Sequence, residues 1–187
     1  MAKLIYIQGA QGVGKSTLLN DFVSSTEFQI KCFNEIARTL IKKGVSHGLE
    51  AKKEDYFAYV YRHIANHNYY IKNRFIFDLF ISDRSIIDVL VYAQICFNDN
   101  DTNYVAELCT EYFQMISSDV DLVIYLPIEF EIVDDGVRNF SKDRQKEYDR
   151  ILKETLVYLG IDFVEISGSR SDRLKKMTEL VMTIYNK

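Results

Sequence analysis

The chain has 187 residues, 48% of them hydrophobic, with one proline and eight glycines, which is enough for one domain with a proper core and argues against long disordered stretches. Its formal net charge of −4 disfavours extensive non-specific contact with nucleic acid, because neutralising phosphates takes an excess of Lys and Arg. Three cysteines without metal-ligand spacing, and no apolar run of membrane-spanning length, predict a cytoplasmic protein with reduced thiols and no membrane partner.

The first predicted strand, Leu4 to Ile7, leads into a glycine-rich motif. The strand begins so close to Met1 that we expect no signal peptide. The motif fits the pattern of Gly, four residues and Gly-Lys-Ser/Thr, and a helix is predicted directly after it, over residues 15–24. The residues that we expect to bind a nucleotide are Gly9, Ala10, Gln11, Gly12, Val13, Gly14, Lys15, Ser16 and Thr17.

A glycine-rich turn between strand and helix directs several backbone N–H groups into one concavity at the positive end of the helix dipole, where a polyphosphate binds. Lys15 is the predicted catalytic residue that reaches the β- and γ-phosphates, and the Ser16 hydroxyl is predicted to hold Mg²⁺. The alternative is an ordinary glycine turn. The base-reading pattern Asn-Lys-x-Asp of GTPases is missing, so ATP is favoured over GTP.

The next predicted elements are a strand over 28–33, a helix over 35–43 that Gly44 ends, and a long helix over 51–72. Aromatic residues follow one face of the long helix, a pattern more typical of a core or a pocket wall than of a base-stacking platform. His63 and His67 have a spacing that zinc ligands use, but no glutamate accompanies them, so packing is favoured over a metal role.

A third predicted strand, over 75–82, is followed by Asp83, Arg84 and Ser85. A carboxylate at the carboxyl end of a parallel strand lies on the rim where such sheets bind ligands. Asp83 is therefore predicted either to orient Mg²⁺ through water or to accept a proton from an attacking hydroxyl. Arg84 is predicted to hold a substrate phosphate or hydroxyl. The alternative for Asp83 is a side chain that caps the next helix.

The remaining chain continues the alternation of strands and helices. Helices are predicted over 85–97, 103–116, 141–158 (ended by Gly160) and 171–185, strands over 122–126 and 162–166, and a mobile lid over about 128–145. The alternation predicts an α/β fold in one domain spanning 1–187, with a parallel sheet covered by helices on both faces.

These residues together resemble those of the P-loop nucleoside and nucleotide kinases, and more closely the nicotinamide riboside kinase-like branch, an AAA-type ATP-binding group. The matching segments span most of the chain: 9–17, 34–38, 83–85 with 88–93, and 134–138 in the lid. The aromatic residue near the lid that often sets acceptor choice in nicotinamide riboside kinases has no clear counterpart, so the resemblance leaves the acceptor open.

The resemblance implies the three-layer P-loop NTPase fold, with a five-stranded parallel sheet flanked by helices and a small lid. It also implies transfer of the ATP γ-phosphate to a hydroxyl, with Asp83 as the base or the residue that organises Mg²⁺. It implies a set of acceptor-binding residues and two arginines that close over the phosphates with the lid. The acceptor set is Glu35, Arg38, Arg84, Asp88 and Tyr92, and the arginines are Arg138 (catalytic) and Arg144 (nucleotide-binding). For Asp88 and Tyr92, a place on the helix surface is the alternative.

The predicted function is thus that of a kinase with ATP and Mg²⁺ as cofactors and a nucleoside-like small molecule as acceptor. One alternative keeps the chemistry and changes the acceptor to a nucleoside monophosphate or to a hydroxyl in DNA or RNA, such as a hydroxymethylated base. Another is a nucleotide-sensing ATPase module, which would hydrolyse ATP without forming a phosphorylated product. The sequence leaves the oligomeric state open.

Overall fold

A computed structural model describes residues 1–48, 51–96, 102–129 and 142–186. The strands are β1 (Lys3–Gln8), β2 (Ile30–Phe33), β3 (Leu79–Asp83), β4 (Leu122–Tyr125) and β5 (Val164–Glu165). The helices are α1 (Lys15–Ser25), α2 (Ile36–Ile41), α3 (Lys53–Asn73), α4 (Ile86–Cys96), α5 (Thr102–Ile116), α6 (Lys142–Tyr158) and α7 (Arg170–Tyr185). Most of the predicted lid, residues 130–141, lies outside the described residues.

The five strands form one parallel sheet in the order β2-β3-β1-β4-β5. Strands β1 and β3 lie side by side, with Ile7 opposite Asp83, and β4 flanks β1 on its other side. Nearly every residue of these three strands is buried, as continuous apolar runs predict for strands covered on both faces. The predicted fold class is therefore confirmed.

Strand β3 begins later than predicted. The chain turns after α3, where the Ile76 N–H donates to the Asn73 carbonyl at 2.9 Å, and Phe75 is 77% exposed. The residues at 75 and 76 are apolar, which is why the predicted strand began at residue 75. In the structure they belong to the turn that leaves α3, and strand pairing starts at Leu79.

Two helix ends follow the predicted glycine signals. Gly160 has φ of 64°, and the Ile161 N–H donates to the Leu156 carbonyl at 2.9 Å across the end of α6. Gly44 has φ of 85°, and the Val45 N–H makes the equivalent bond to Leu40 after α2. Both are the left-handed C-terminal caps that glycine forms most readily.

The buried core is built around the sheet, with α1, α4 and the inner faces of α3, α5, α6 and α7. The aromatic face of α3 is buried in part: Tyr56, Tyr59 and Tyr70 are each less than 10% exposed. His67 Nε2 lies 3.1 Å from Asp119 Oδ2. Within the described ranges, no helix is both long and apolar enough to cross a membrane.

Candidate active site

The glycine-rich loop and Asp83 meet at the carboxyl edge of the sheet. The loop follows β1 and Asp83 ends β3, and these strands are neighbours in register. This edge is where open parallel sheets bind ligands. The structure therefore brings together the two sequence features on which the predicted chemistry depends.

The backbone conformation of the loop depends on its glycines. Gly9, Gly12 and Gly14 have φ angles of 139°, 79° and 93°, a region that L side chains rarely adopt. A Cβ atom at Gly9 would lie only 2.5 Å from the Leu126 carbonyl oxygen at the end of β4. The first glycine of the motif is therefore required both by its backbone angles and by the close approach of a neighbouring strand.

Lys15 lies across the loop. Its Nζ donates to the Gly9 carbonyl at 2.8 Å and to the Ala10 carbonyl at 2.7 Å, and the side chain is buried. Burial, together with the nearby Arg84 charge, lowers the pKa of this ammonium to about 8, although Asp83 opposes the shift. The positive charge is thus held where it is poorly solvated, next to the loop.

Ser16 and Asp83 are joined directly. The Ser16 hydroxyl donates to Asp83 Oδ2 at 2.7 Å, whereas Asp83 Oδ1 is buried and has no hydrogen-bond partner among the described residues. A buried carboxylate oxygen without a hydrogen-bond partner lowers the stability of the fold unless a ligand or a proton binds it. The hydroxyl and carboxylate oxygens are the hard donors that Mg²⁺ prefers, so the pair fits this ion.

The described residues contain no group of three or more His, Cys, Asp or Glu side chains placed to hold a metal. This agrees with the expected kind of site, because Mg²⁺ at phosphates is usually held by one or two protein oxygens, with phosphate and water completing the shell.

Asp83 does not cap α4, the alternative considered from the sequence. The Ser85 hydroxyl accepts the Ile87 N–H at 3.1 Å, and Asp88 Oδ2 accepts the Ser85 N–H at 2.9 Å. This is the reciprocal arrangement of a capping box, and it leaves Asp83 outside the cap.

Arg84 is held by its neighbours in an uncommon backbone conformation, with φ of 84°. Its Nη1 lies 2.5 Å from Asp88 Oδ1 and 3.1 Å from the Tyr148 hydroxyl, and its Nε lies 3.3 Å from Glu35 Oε1. The Tyr148 hydroxyl also donates to Asp88. Arg84 was predicted to hold substrate; the structure places it in a buried cluster that fixes the wall of a pocket.

That pocket lies between the β2–α2 connection, α3 and α4, and its cavity volume is about 30 Å³. Its charged lining residues are Glu35, Arg84 and Asp88. Its ring-bearing lining residues are His47, Tyr56, Tyr59, His63 and Tyr92. Aromatic rings with a few polar groups are the kind of lining that binds a small heterocyclic molecule, and at this volume the walls must move apart to admit one.

Two imidazoles contribute to this lining. The His47 ring packs at 4.7 Å from the Tyr92 ring and 5.4 Å from the Tyr59 ring. His63 is half-buried, and desolvation lowers its pKa to about 4 although Asp88 opposes the shift. A neutral imidazole at neutral pH thus faces the cavity alongside the tyrosines.

The other predicted site residues are placed as follows. Asp88 and Tyr92 are buried on α4 and line the cavity, so the surface alternative is wrong for both. Arg38 is exposed and contacts Glu35 at 3.2 Å without lining the cavity. Arg144 is an exposed residue of α6 whose charge acts on Cys96, and Arg138 lies outside the described residues.

Three buried residues that the sequence analysis missed also contact this region. Tyr148 completes the Arg84 cluster, Gln145 donates to the Gln11 carbonyl at 2.6 Å, and Arg173 donates to the Val13 carbonyl at 2.6 Å. Charged residues are frequent along α6, and their spacing does not reveal that Gln145 and Tyr148 lie on its buried face.

The family comparison gives a match over nearly the whole chain. A family model described as an AAA domain matches residues 4–173. No curated protein matches the chain.

Several solved structures are similar in fold. A NadR protein in complex with NR has a TM-score of 0.83 at 19% identity; the match covers 100% of this chain and 52% of that protein. Thymidylate kinase from Candida albicans has a TM-score of 0.59 at 16% identity, with 99% and 93% covered. The YorR protein from Bacillus subtilis, in complex with phosphorylated GDP, has a TM-score of 0.61 at 14% identity, with 99% of both chains covered.

These likenesses confirm the predicted P-loop fold, which the chain shares with a NadR protein and a thymidylate kinase. The chain spans about half the length of the NadR protein. At identities of 14–19%, these structural likenesses support the shared fold and no statement about substrate or activity.

Proposed function

We propose that this chain, which belongs to the AAA domain family, is an ATP-dependent kinase that transfers the γ-phosphate to a hydroxyl of a nucleoside-like acceptor. One observation carries the proposal: Ser16 of the phosphate loop contacts Asp83 at 2.7 Å, and Asp83 directly precedes Arg84, which lines the aromatic cavity. The proposed site for the phosphate donor and the proposed site for the acceptor therefore lie next to each other at the Asp83 carboxylate.

On the donor side, the backbone N–H groups of the loop bind the triphosphate. Lys15 exchanges its two carbonyl partners for phosphate oxygens, which suits an ammonium that burial has left poorly solvated. Ser16 and Asp83 hold Mg²⁺, which when bound neutralises charge that develops on the phosphates. The protein's part is positioning and electrostatic stabilisation, since phosphoryl transfer needs little covalent help.

On the acceptor side, Asp83 Oδ1 orients the attacking hydroxyl or accepts its proton, a role supported by the absence of a partner for this oxygen among the described residues. The aromatic rings of Tyr56, Tyr59 and Tyr92 provide faces for the acceptor's ring. The buried cluster of Arg84, Asp88 and Tyr148 keeps the α4 side of the cavity fixed.

The charges around the cavity favour a nucleoside over a nucleoside monophosphate. Among the described lining residues, two carboxylates, Glu35 and Asp88, face one guanidinium, Arg84, which both already neutralise. A phosphorylated acceptor would enter this lining against like charge, whereas a neutral or cationic nucleoside would not. The complex of the similar NadR protein with NR supports the same choice.

The lid belongs to the proposal as well. Arg138 and Arg144 would close over the phosphates and keep water from competing as acceptor, as the resemblance implies. Residues 130–141 lie outside the described ranges, while α6, which carries Arg144, contacts the loop through Gln145.

The direct test is transfer of labelled γ-phosphate from ATP to a panel of nucleosides, nucleoside monophosphates and modified oligonucleotides. We expect a labelled product with at least one nucleoside and weaker transfer to its monophosphate. ATP hydrolysis without a labelled product for any acceptor would contradict the kinase and favour the nucleotide-sensing ATPase. Lys15→Ala is the control, because it should abolish both transfer and hydrolysis.

A further inference from the structure

Arg173, near the start of α7, is buried against the back of the phosphate loop. It is 4% exposed, and its Nη1 donates to the Val13 carbonyl at 2.6 Å. A Cβ atom added to Gly14 would lie 3.5 Å from the same nitrogen. A guanidinium from the last helix of the described chain thus contacts the loop at the peptide between residues 13 and 14.

The orientation of that peptide bears on phosphate binding. The described chain has no cis peptide bonds, and in a trans peptide the carbonyl and the N–H point in opposite directions. With the Val13 carbonyl held by Arg173, the Gly14 N–H points away from α7. Gly14 has φ of 93°, and glycine populates positive and negative φ about equally, so nothing in Gly14 itself keeps the peptide in this orientation.

A second set of contacts fixes Arg173. Its Nη2 pairs with Glu129 Oε2, and its Nε donates to the Gly168 carbonyl at 3.1 Å. The Gly168 N–H in turn lies 3.0 Å from Glu129. The ion pair and its hydrogen bonds hold the pKa of the Glu129 carboxyl below its usual value. Arg173 and Glu129 therefore hydrogen-bond to both backbone polar groups of Gly168, and these contacts fix the position of the guanidinium.

We propose that Arg173 is a positioning residue for the nucleotide: it holds the 13–14 peptide so that the Gly14 N–H faces the triphosphate, and Glu129 orients Arg173. The inference rests on the proposed function, since it assumes that the loop binds a triphosphate. Glu129 lies at the start of the segment predicted as the lid, so the same ion pair joins the start of that segment to the loop.

The test compares Arg173→Met, Arg173→Lys and Glu129→Gln with the wild-type chain. Binding of a non-hydrolysable ATP analogue is measured by calorimetry, and amide hydrogen exchange of the loop peptide, residues 9–17, is measured without nucleotide. Lys175→Ala is the matched control, because it removes an exposed charge from the same helix without touching the loop.

We expect Arg173→Met to weaken analogue binding about 10–100-fold, the range for a lost hydrogen bond from a charged donor, and to speed exchange of the loop. Arg173→Lys should recover part of the affinity, Glu129→Gln should give a smaller loss, and Lys175→Ala should give none. The KM for the acceptor should stay within about twofold, since loss of one donor-side contact removes binding of ATP alone.

Unchanged affinity and unchanged loop exchange in Arg173→Lys and Glu129→Gln would overturn the inference, and these two variants decide it if Arg173→Met does not fold. A wild-type chain that binds no triphosphate would instead contradict the proposed function. The exchange measurement needs no nucleotide, so it would still decide whether Arg173 orders the loop.

Discussion

At the scale of single residues, the two oxygens of Asp83 have different surroundings. Oδ2 accepts the Ser16 hydroxyl, and Oδ1 is buried without a partner among the described residues. An amide in this place could still accept the Ser16 hydroxyl but would carry no charge and no basic oxygen. Replacing Asp83 with Asn therefore keeps the contact with Ser16 and removes the negative charge and the proton-accepting oxygen.

Asp83→Asn should leave ATP affinity within a few-fold of the wild type and lower kcat by about 10²–10⁴-fold, the usual contribution of a positioned proton acceptor. Calorimetry with an ATP analogue and initial rates at saturating substrate measure the two effects. Asp78→Asn, just before the amino end of β3, is the control that should leave kcat unchanged. Retained transfer in Asp83→Asn would remove the residue from its assigned role.

Lys15 predicts a pH dependence for ATP binding. Its pKa is lowered to about 8, and only the ammonium form attracts phosphate. Affinity should therefore be constant below that pH and fall above it, by about tenfold per pH unit once the amine is neutral. Titrations from pH 7 to about pH 9.5 measure this, and Lys15→Met should bind weakly at every pH. Wild-type affinity that stays constant to the upper end of the range would show that Lys15 keeps its proton.

At the scale of elements, glycines end two helices and begin the phosphate loop for different reasons. At Gly160 and Gly44 a Cβ atom would meet nothing within 4 Å, so only the backbone angle favours glycine. At Gly9 a Cβ atom would also approach the Leu126 carbonyl.

Gly160→Ala and Gly44→Ala should each lower the free energy of unfolding by about 1–2 kcal/mol, the cost of a left-handed L residue, without changing ATP affinity. Gly9→Ala should cost more and should also weaken ATP binding, because the loop must move away from β4. Urea denaturation and analogue binding measure both. Equal effects at Gly9 and Gly160 would mean that the contact with Leu126 is relieved without moving the loop.

One hydroxyl of α6 links that helix to the buried charged residues at the start of α4. Tyr148 is buried on α6, and its hydroxyl reaches both Asp88 and Arg84 on the α4 side. Tyr148→Phe should lower the free energy of unfolding by about 1–3 kcal/mol, because it leaves buried charged groups less well bonded, and should raise the acceptor KM. Tyr158→Phe, at an 86% exposed position of the same helix, is the control that should change neither. An unchanged acceptor KM would mean that the cluster does not shape the cavity.

At the scale of the whole molecule, charge bears on the kind of acceptor. The chain has 27 acidic and 23 basic side chains, for a net charge of −4. We expect single-stranded oligonucleotides to bind more weakly than about 10⁻⁴ M, the weak end of non-specific binding, and to receive no phosphate. Fluorescence anisotropy at low and physiological salt measures this. Tight binding that weakens steeply with salt would instead favour the alternative in which a hydroxyl in DNA or RNA is the acceptor.

Local patterns were enough to predict the fold. Apolar runs, helical spacing and the capping glycines predicted each strand and helix to within a few residues, and the alternation predicted the parallel sheet. The loop motif and Asp83 were predicted to lie together, and they do, because each follows a strand whose carboxyl end is fixed by the sheet.

The parts of the site that were missed depend on long-range packing. Arg173 contacts Val13 across 160 positions of sequence, and Tyr148 contacts Asp88 across 60. An arginine near the start of a helix, or a tyrosine within a charged helix, looks the same whether it faces solvent or the core. Only the packing of α6 and α7 against the sheet decides which of them enters the site.

The two sides of the aromatic cavity differ in how freely they can be altered. On α4, Asp88 caps its own helix, pairs with Arg84 and bonds to α6, so a change there disturbs the buried cluster that fixes this side of the cavity. On α3, Tyr59 and His63 border the same space, and the Tyr59 hydroxyl donates to the Ser46 carbonyl at 3.2 Å. Variation in ligand preference on this scaffold should therefore accumulate on α3, and a library intended to change the ligand of the cavity should randomise that helix first.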